Sequence, residues 1–248
     1  MLSECKSKLI QKKEMLSRPE LPNPKVIRLK FCKVGTLQYI SHLDLQRTFN
    51  RILVRACIPV WYTQGFNPHI KLVFSTPLSV GTESVCEYLD LRIDRDMPLE
   101  QIKDRLNAEM TNEFYVTAVY SPKSDFSEIR WAEYTVRITT PDASQDLAES
   151  IVKALSTSPL TLTKKTKAGE KQIDIIPLIK SVRSEFCAEE GRIDVFATVS
   201  ASTGEYLNPE MLISGLRLHL GILSGDPLKE YDSIMRTALL KEDMTDFS

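Results

Sequence analysis

The order in which strand-like and helix-like patterns follow one another most constrains the fold. Residues 26–32 alternate, with Ile27, Leu29 and Phe31 on one face and cations on the other, as in a half-buried strand. Residues 41–56 then change to helical spacing, with Ser41 in the position of an N-terminal cap. The remaining segments are strand-like at 70–75, 85–93 and 114–120, and helical at 99–110. The order βαββαβ predicts a ferredoxin-like unit.

The second half of the chain repeats this order. Its strand-like segments are 134–139, 160–165, 173–176 and 193–200, and its helical segments are 145–155 and 209–220. A last strand is predicted at 233–240, although its Leu239–Leu240 end fits a helix equally well. Residues 177–190 form an extra segment that the first half lacks. The sequence therefore predicts an α+β fold of two tandem ferredoxin-like (βαββαβ) units.

Prolines set the expected domain boundaries. Pro19, Pro22 and Pro24 follow a short polar helical segment, and proline lacks the amide hydrogen that regular structure uses. We expect an N-terminal extension and linker over residues 1–24, a first unit over 25–125 and a second over 126–248.

Composition excludes several classes of protein. No apolar run approaches the roughly 20 residues that cross a bilayer, and the N-terminal segment lacks the apolar core of a secretory signal. We therefore expect a cytoplasmic protein without a membrane partner. The five cysteines are scattered, and the chain has no phosphate-binding glycine loop. Neither a metal nor a cofactor is predicted.

The local charge of residues 26–80 departs from that of the whole chain. The chain carries 32 cations and 33 anions, whereas this stretch has several lysines and arginines and only one acid, Asp44. Arg47, Arg51 and Arg55 are spaced four apart, which places them along one stripe of the predicted helix. A row of guanidinium groups suits the phosphates of nucleic acid. The alternative is an ordinary solvated helix face.

A second motif, from Thr63 to Ser75, reads TQGFNPHIKLVFS. Gly65 permits a positive φ, and Asn67–Pro68 favours a turn, so the peptide is a shaped loop before a strand. The motif combines hydrogen-bond donors with nearby aromatic rings, as single-stranded RNA binding requires. The donors are Gln64, Asn67, His69 and Lys71, and the rings are Trp61, Tyr62 and Phe66. Alternatively, Trp61 and Phe66 belong to the core.

Two further groups are candidate site residues. Lys164, Lys165 and Lys167 lie beside a predicted turn at Ala168–Gly169, where they suit phosphate contact without base recognition, or form a solvated turn. His42 and His69 are candidates for a general acid–base pair acting on RNA. Nothing in their spacing indicates that the two imidazoles meet.

Three segments resemble the radical SAM-linked protein family, whose shared domain has no known function. They are YISHLDLQRTF (residues 39–49), TQGFNPHIKLVFS (63–75) and GTESVCEYLDL (81–91). In that family the domain follows a radical S-adenosylmethionine enzyme or stands alone, and its members are associated with RNA metabolism. This chain lacks the three-cysteine cluster that holds the iron–sulfur centre, so it is similar to the stand-alone form. The resemblance implies a separate radical SAM protein as partner.

These observations predict a non-catalytic RNA-binding domain that presents transfer or ribosomal RNA to a separate radical SAM enzyme. One alternative is an RNA-processing or RNA-modifying enzyme that uses His42 or His69 as acid–base. Another is a protein-interaction domain that docks its basic face on an acidic partner.

Overall fold

The structure is a computed structural model, and it describes residues 2–166 and 169–248, with the side chains of residues 6–163 and 169–248. The fold is α+β, and the chain divides into two compact units. Unit 1 runs to Val80 and continues from Ser84 to Ser124, with Ser248. Unit 2 comprises Gly81–Glu83 and Asp125–Phe247. No helix in the described part of the chain is long and apolar enough to cross a membrane.

Unit 1 combines three α-helices with a short antiparallel sheet. Its elements in chain order are α1 (Leu2–Ser17), β1 (Glu20–Lys33), a 3-10 turn (Gly35–Tyr39), α2 (His42–Arg55), β2 (Val73–Phe74), β3 (Thr82–Arg95), α3 (Leu99–Asn107) and β4 (Phe114–Tyr120). The strands lie in the order β4-β1-β3-β2, and each neighbouring pair is antiparallel. The strand and helix patterns expected between residues 26 and 120 are thus confirmed as elements.

The core of unit 1 forms where α2 packs on β1. Ser41 caps the helix, because its hydroxyl accepts a hydrogen bond from the Asp44 backbone N–H at 3.1 Å. Phe49 on α2 meets Phe31 on β1 edge to face, with ring centroids 4.9 Å apart, and both rings are fully buried. Burying this face of α2 leaves the opposite face, which carries the arginines, in solvent.

Helix α1 is tied to α3 and to the segment after it. Glu14 accepts from Arg105 Nη2 at 2.7 Å, and Lys8 Nζ lies 2.6 Å from Glu109. Strand β1 begins at Glu20, which pairs with Arg95, and the register shifts between Glu20 and Lys25. Two prolines of the predicted linker, Pro22 and Pro24, fall within that shift, where the ladder is interrupted and no backbone N–H is needed. Part of the linker segment therefore takes part in the sheet.

Unit 2 has the same strand order with a hairpin added. Its elements are β5 (Trp131–Thr139), α4 (Gln145–Ser156), β6 (Thr161–Thr166), β7 (Gly169–Asp174), β8 (Ile179–Cys187), β9 (Arg192–Ser200), α5 (Glu210–Leu220) and β10 (Tyr231–Leu240). The main strands lie in the antiparallel order β10-β5-β9-β8, and β6 pairs with β7 in a separate two-stranded sheet.

The prediction that residues 177–190 are an added segment was wrong. Most of the segment is β8, a full member of the sheet, and the hairpin of β6 and β7 is the addition. The pattern of β8 is hard to read because the register shifts between Ile179 and Ser181, which interrupts the alternation. At the C-terminal end of the chain, β10 extends through Leu240, so Leu239–Leu240 belongs to a strand.

Candidate nucleic-acid interface

The three arginines of α2 are exposed, but they differ in what they contact. Arg47 Nη1 lies 3.2 Å from Asp44 on the same helix, and Arg55 Nε lies 2.7 Å from Glu109. Within the described part of the chain, Arg51 has no ion-pair partner. The row is therefore partly neutralised by carboxylates, and its central member remains open to an incoming anion.

The two ion pairs differ in strength because their carboxylates differ in burial. Asp44 is exposed, and hydrogen bonds first from Ser41 and then from Arg47 lower its pKa. Solvent screens an exposed pair of this kind and leaves it weak, so a phosphate can displace Asp44 from Arg47. Burial works to raise the pKa of Glu109, but hydrogen bonds from Lys8 and Arg55 lower it overall. A phosphate that binds Arg55 must therefore compete with its ion pair to Glu109.

Residues 62–70 form a closed loop, which we call the Gly65 loop. A bridge joins Tyr62 to Ile70, and the Thr63 N–H donates to the His69 carbonyl at 2.9 Å. The His69 N–H donates in turn to Thr63 Oγ1 at 3.1 Å. Gly65 has a φ of 148°, which side-chain-bearing residues rarely adopt. The shaped loop predicted before the strand is therefore present, and its backbone conformation depends on Gly65.

The Gly65 loop presents its side chains to solvent. Phe66 is fully exposed at 109% of its reference area, so the alternative that it belongs to the core is wrong. Gln64, Asn67 and His69 are also exposed, as is Lys71 immediately after the loop. The Phe66 ring is therefore accessible over its whole surface.

The chain segments before and after the Gly65 loop both pair with strand β3. The Trp61 N–H donates to the Arg92 carbonyl at 2.8 Å, and Val73 pairs with Asp90 further along β3. The loop thus interrupts the edge strand and projects from it. Sequence reasoning missed that Arg92 also lies over the Trp61 ring, 5.4 Å from its centroid, because the two residues are distant in sequence.

One cleft of unit 1 is lined by residues from both α2 and the Gly65 loop. Its volume is about 350 Å³, and its lining includes Val54 on α2 and Tyr62 at the start of the loop. Val54 directly precedes Arg55, and both Val54 and Tyr62 are about half exposed. Helix α2 and the start of the loop therefore meet at one cleft through Val54 and Tyr62, whereas the three arginines of the row are not among its lining residues.

The two histidines have separate surroundings. The His42 ring lies edge to face with Phe74, with centroids 4.9 Å apart. Nδ1 of His69 is 3.1 Å from both Thr63 Oγ1 and the Asn67 carbonyl, so its contacts lie within its own loop. No contact between described residues joins the two rings, and an acid–base role for either stays a prediction.

The predicted lysine cluster lies mostly outside what the structure describes. Backbone pairing places Lys164 opposite Lys171 and Lys165 opposite Glu170 in the hairpin of β6 and β7. The side chains of Lys164 and Lys165, and Lys167 as a whole, lie outside the described residues. Among the described residues, no group of three or more histidine, cysteine or acidic side chains is arranged to hold a metal ion.

Comparison with known proteins identifies a family. The family model described as "Uncharacterized protein conserved in bacteria (DUF2344)" matches residues 26–209, so the chain belongs to that family. The match includes α2 and the Gly65 loop in unit 1, and in unit 2 it ends just before α5. No curated protein matches the chain.

Among solved structures, one described as the crystal structure of a Cbf5-Nop10-Gar1 complex matches this chain. The TM-score is 0.44 and the sequence identity 11%. The match covers 92% of this chain and 57% of that chain, so our protein spans little more than half of that length. A score at this level does not establish a shared fold.

Proposed function

We propose that this protein is a non-catalytic RNA-binding domain that works with a separate radical SAM enzyme in RNA modification or processing. The observation that carries the proposal is that unit 1 exposes both Arg51, which has no ion-pair partner among the described residues, and the aromatic ring of Phe66 in the Gly65 loop. The row offers charge and the loop offers an exposed aromatic ring, and RNA binding uses both.

The proposed fold is two tandem ferredoxin-like units, with the hairpin of β6 and β7 added to the second. The strand orders β4-β1-β3-β2 and β10-β5-β9-β8 support it, because each places the first and third strands at the centre. All the pairs within each order are antiparallel, as that topology requires. The boundaries proposed for the units are residues 25–125 and 126–248.

In the proposed complex, Arg51 binds a phosphate directly because no described carboxylate competes for it. Arg47 follows by exchanging Asp44 for a second phosphate, and Arg55 adds attraction while it keeps its bond to Glu109. Phe66 stacks on a base, since a fully exposed ring has no other contact to lose. The donors of Gln64, Asn67 and Lys71 fix the strand beside it.

The choice of partner rests on the resemblance to the radical SAM-linked family. In this proposal the enzyme supplies the radical chemistry, and the present chain holds transfer or ribosomal RNA for it. Coexpression with a radical SAM protein encoded in the same genome should give a complex that co-elutes. The complex should bind RNA more tightly than the enzyme alone.

Binding of transfer RNA to Arg51→Glu tests the interface. The variant should bind about tenfold more weakly, a loss of about 1.4 kcal/mol, because it replaces a phosphate contact with a repulsive charge. Lys153→Glu on α4 is the matched control, since Lys153 is also exposed and the charge change is the same. Equal losses for both variants would mean that only net charge matters, and would refute this interface.

A further inference from the structure

One face of the sheet in unit 2 is open to solvent. Helix α4 packs on the other face, where the Ser184 hydroxyl of β8 donates to the Ala148 carbonyl at 2.8 Å. On the open face, Arg137, Ser181 and Arg183 are exposed. These residues come from β5 and β8, which lie on either side of the less exposed strand β9.

Two cation–aromatic pairs lie on this open face. Arg183 and Phe196 are direct cross-strand partners, and the guanidinium carbon is 3.8 Å from the ring centroid. Lys180 Nζ lies 5.3 Å from the centroid of Trp131. Arg183 also donates to Glu185 on its own strand. Because the guanidinium is held against Phe196 and its side chain is 62% exposed, its outer face is available for stacking.

A depression of about 330 Å³ lies beside the Arg183–Phe196 pair. Its lining includes the hydroxyls of Ser181 and Thr198, which are hydrogen-bonded to each other at 3.1 Å. Glu133 also lines it, and among the described residues its carboxylate has no ion-pair partner. A carboxylate only accepts hydrogen bonds, so this depression suits a flat group that carries an amino donor.

We propose that this open face of unit 2 is a second binding surface, which takes single-stranded RNA. One base stacks on the Arg183 guanidinium, and a base with an exocyclic amino group enters the depression and donates to Glu133. Trp131 provides another ring roughly 13 Å along the strands, since it lies four residues from Thr135, the partner of Phe196. The choice of RNA rests on the proposed function.

The observations favour RNA over an acidic protein partner. The carboxylates Glu133 and Glu185 on this face repel an acidic protein and RNA phosphates alike, but the carboxylates of an acidic protein surface cannot donate a hydrogen bond to Glu133. Bases instead use the stacked guanidinium and can donate to Glu133. An unpaired strand suits the surface because its bases are free to leave their stack.

The two tryptophans allow each surface to be followed separately, because the chain has only Trp61 in unit 1 and Trp131 in unit 2. Unlabelled oligocytidylate of roughly eight nucleotides, a length within typical single-strand site sizes, is titrated against the full chain while tryptophan fluorescence is recorded. In Trp61→Phe, quenching of Trp131 should saturate. The same titration of Trp131→Phe reports the surface beside the Gly65 loop.

Adding Arg183→Glu to Trp61→Phe should weaken the Trp131 response about tenfold, whereas Lys153→Glu should leave it within about twofold. Glu133→Gln should reduce the preference for oligocytidylate over oligouridylate, since uracil offers no amino group. Absence of Trp131 quenching, or an equal effect of Arg183→Glu and Lys153→Glu, would overturn the inference. If oligocytidylate still quenches Trp61 fluorescence in those cases, the proposed function of the unit 1 interface is not contradicted.

Discussion

Arg28 on β1 and Asp90 on β3 are direct cross-strand partners joined by two hydrogen bonds of 2.7 and 2.8 Å. The Arg28 side chain is 1% exposed and also donates to the Ser124 carbonyl at 2.9 Å. Burial alone would lower the pKa of Arg28, and the hydrogen bonds and charge of Asp90 more than offset it. A buried guanidinium of this kind depends on its carboxylate, because it cannot lose its charge.

Asp90→Ala should therefore destabilise the protein strongly. Removing one partner of a buried pair leaves an uncompensated charge, and we expect a loss of about 3 kcal/mol in the free energy of unfolding. Urea denaturation followed by circular dichroism measures it. Asp96→Ala is the control, since Asp96 is exposed and should cost less than about 0.5 kcal/mol. Similar costs for the two variants would contradict the structural role of the pair.

The pH dependence of stability should carry a contribution from Glu109. Its pKa in the folded protein is lower than the usual 4.5, so the unfolded chain binds more protons in this range. The stabilisation is present above that value and is lost as the pH falls through the folded pKa. Glu109→Gln should thus destabilise the protein at about pH 7, and the difference from the natural chain should shrink as the pH falls through the folded pKa of Glu109. A difference in stability that is independent of pH would contradict this.

Phe66→Ala should separate binding from stability. The side chain is fully exposed, so the free energy of unfolding should change by less than about 0.5 kcal/mol. Loss of one base–aromatic stack should weaken RNA binding by about 1–3 kcal/mol. Leu228→Ala removes another highly exposed apolar side chain, at 88%, and should leave RNA binding unchanged. If Phe66→Ala binds RNA with unchanged affinity, the Phe66 ring is not part of the interface.

Gly65→Ala should distort the Gly65 loop through its backbone. A Cβ there meets no atom within 4 Å, so the effect comes from the φ of 148° and should cost about 1–3 kcal/mol. Gly204→Ala is a matched control, because Gly204 also has open space around it and its φ lies outside the strained range. RNA affinity should fall only in the Gly65 variant. Equal stability of both variants would mean that the loop tolerates other backbone shapes.

Local periodicity predicted most of the individual strands and helices. The alternation around Leu29 and the helical spacing around Phe49 come from burial of one face, and such patterns can be read directly from the sequence. Strand β8 was missed because a register shift near Lys180 interrupts its alternation. The strand orders depend on contacts between distant segments, which periodicity does not contain.

The candidate site was predicted as a set of residues, but not as a set of contacts. The spacing of the arginines on α2 predicts their exposure, and it carries no information about Glu109, which lies 54 residues after Arg55 in the chain. The pairing of Arg183 with Phe196 could likewise not be predicted from the sequence, because it depends on β8 lying beside β9. The spacing of residues in the sequence identifies one face of a helix or strand. Which charges on that face lack an ion-pair partner depends on the tertiary structure.

The salt dependence of RNA binding tests the central claim most directly. Transfer RNA affinity is measured over a salt series for the natural chain and for the double variant Arg47→Gln, Arg51→Gln. Each lost phosphate contact should reduce the slope of log affinity against log salt by about one, so the two slopes should differ by about two. Identical slopes would contradict phosphate binding by the arginine row of α2.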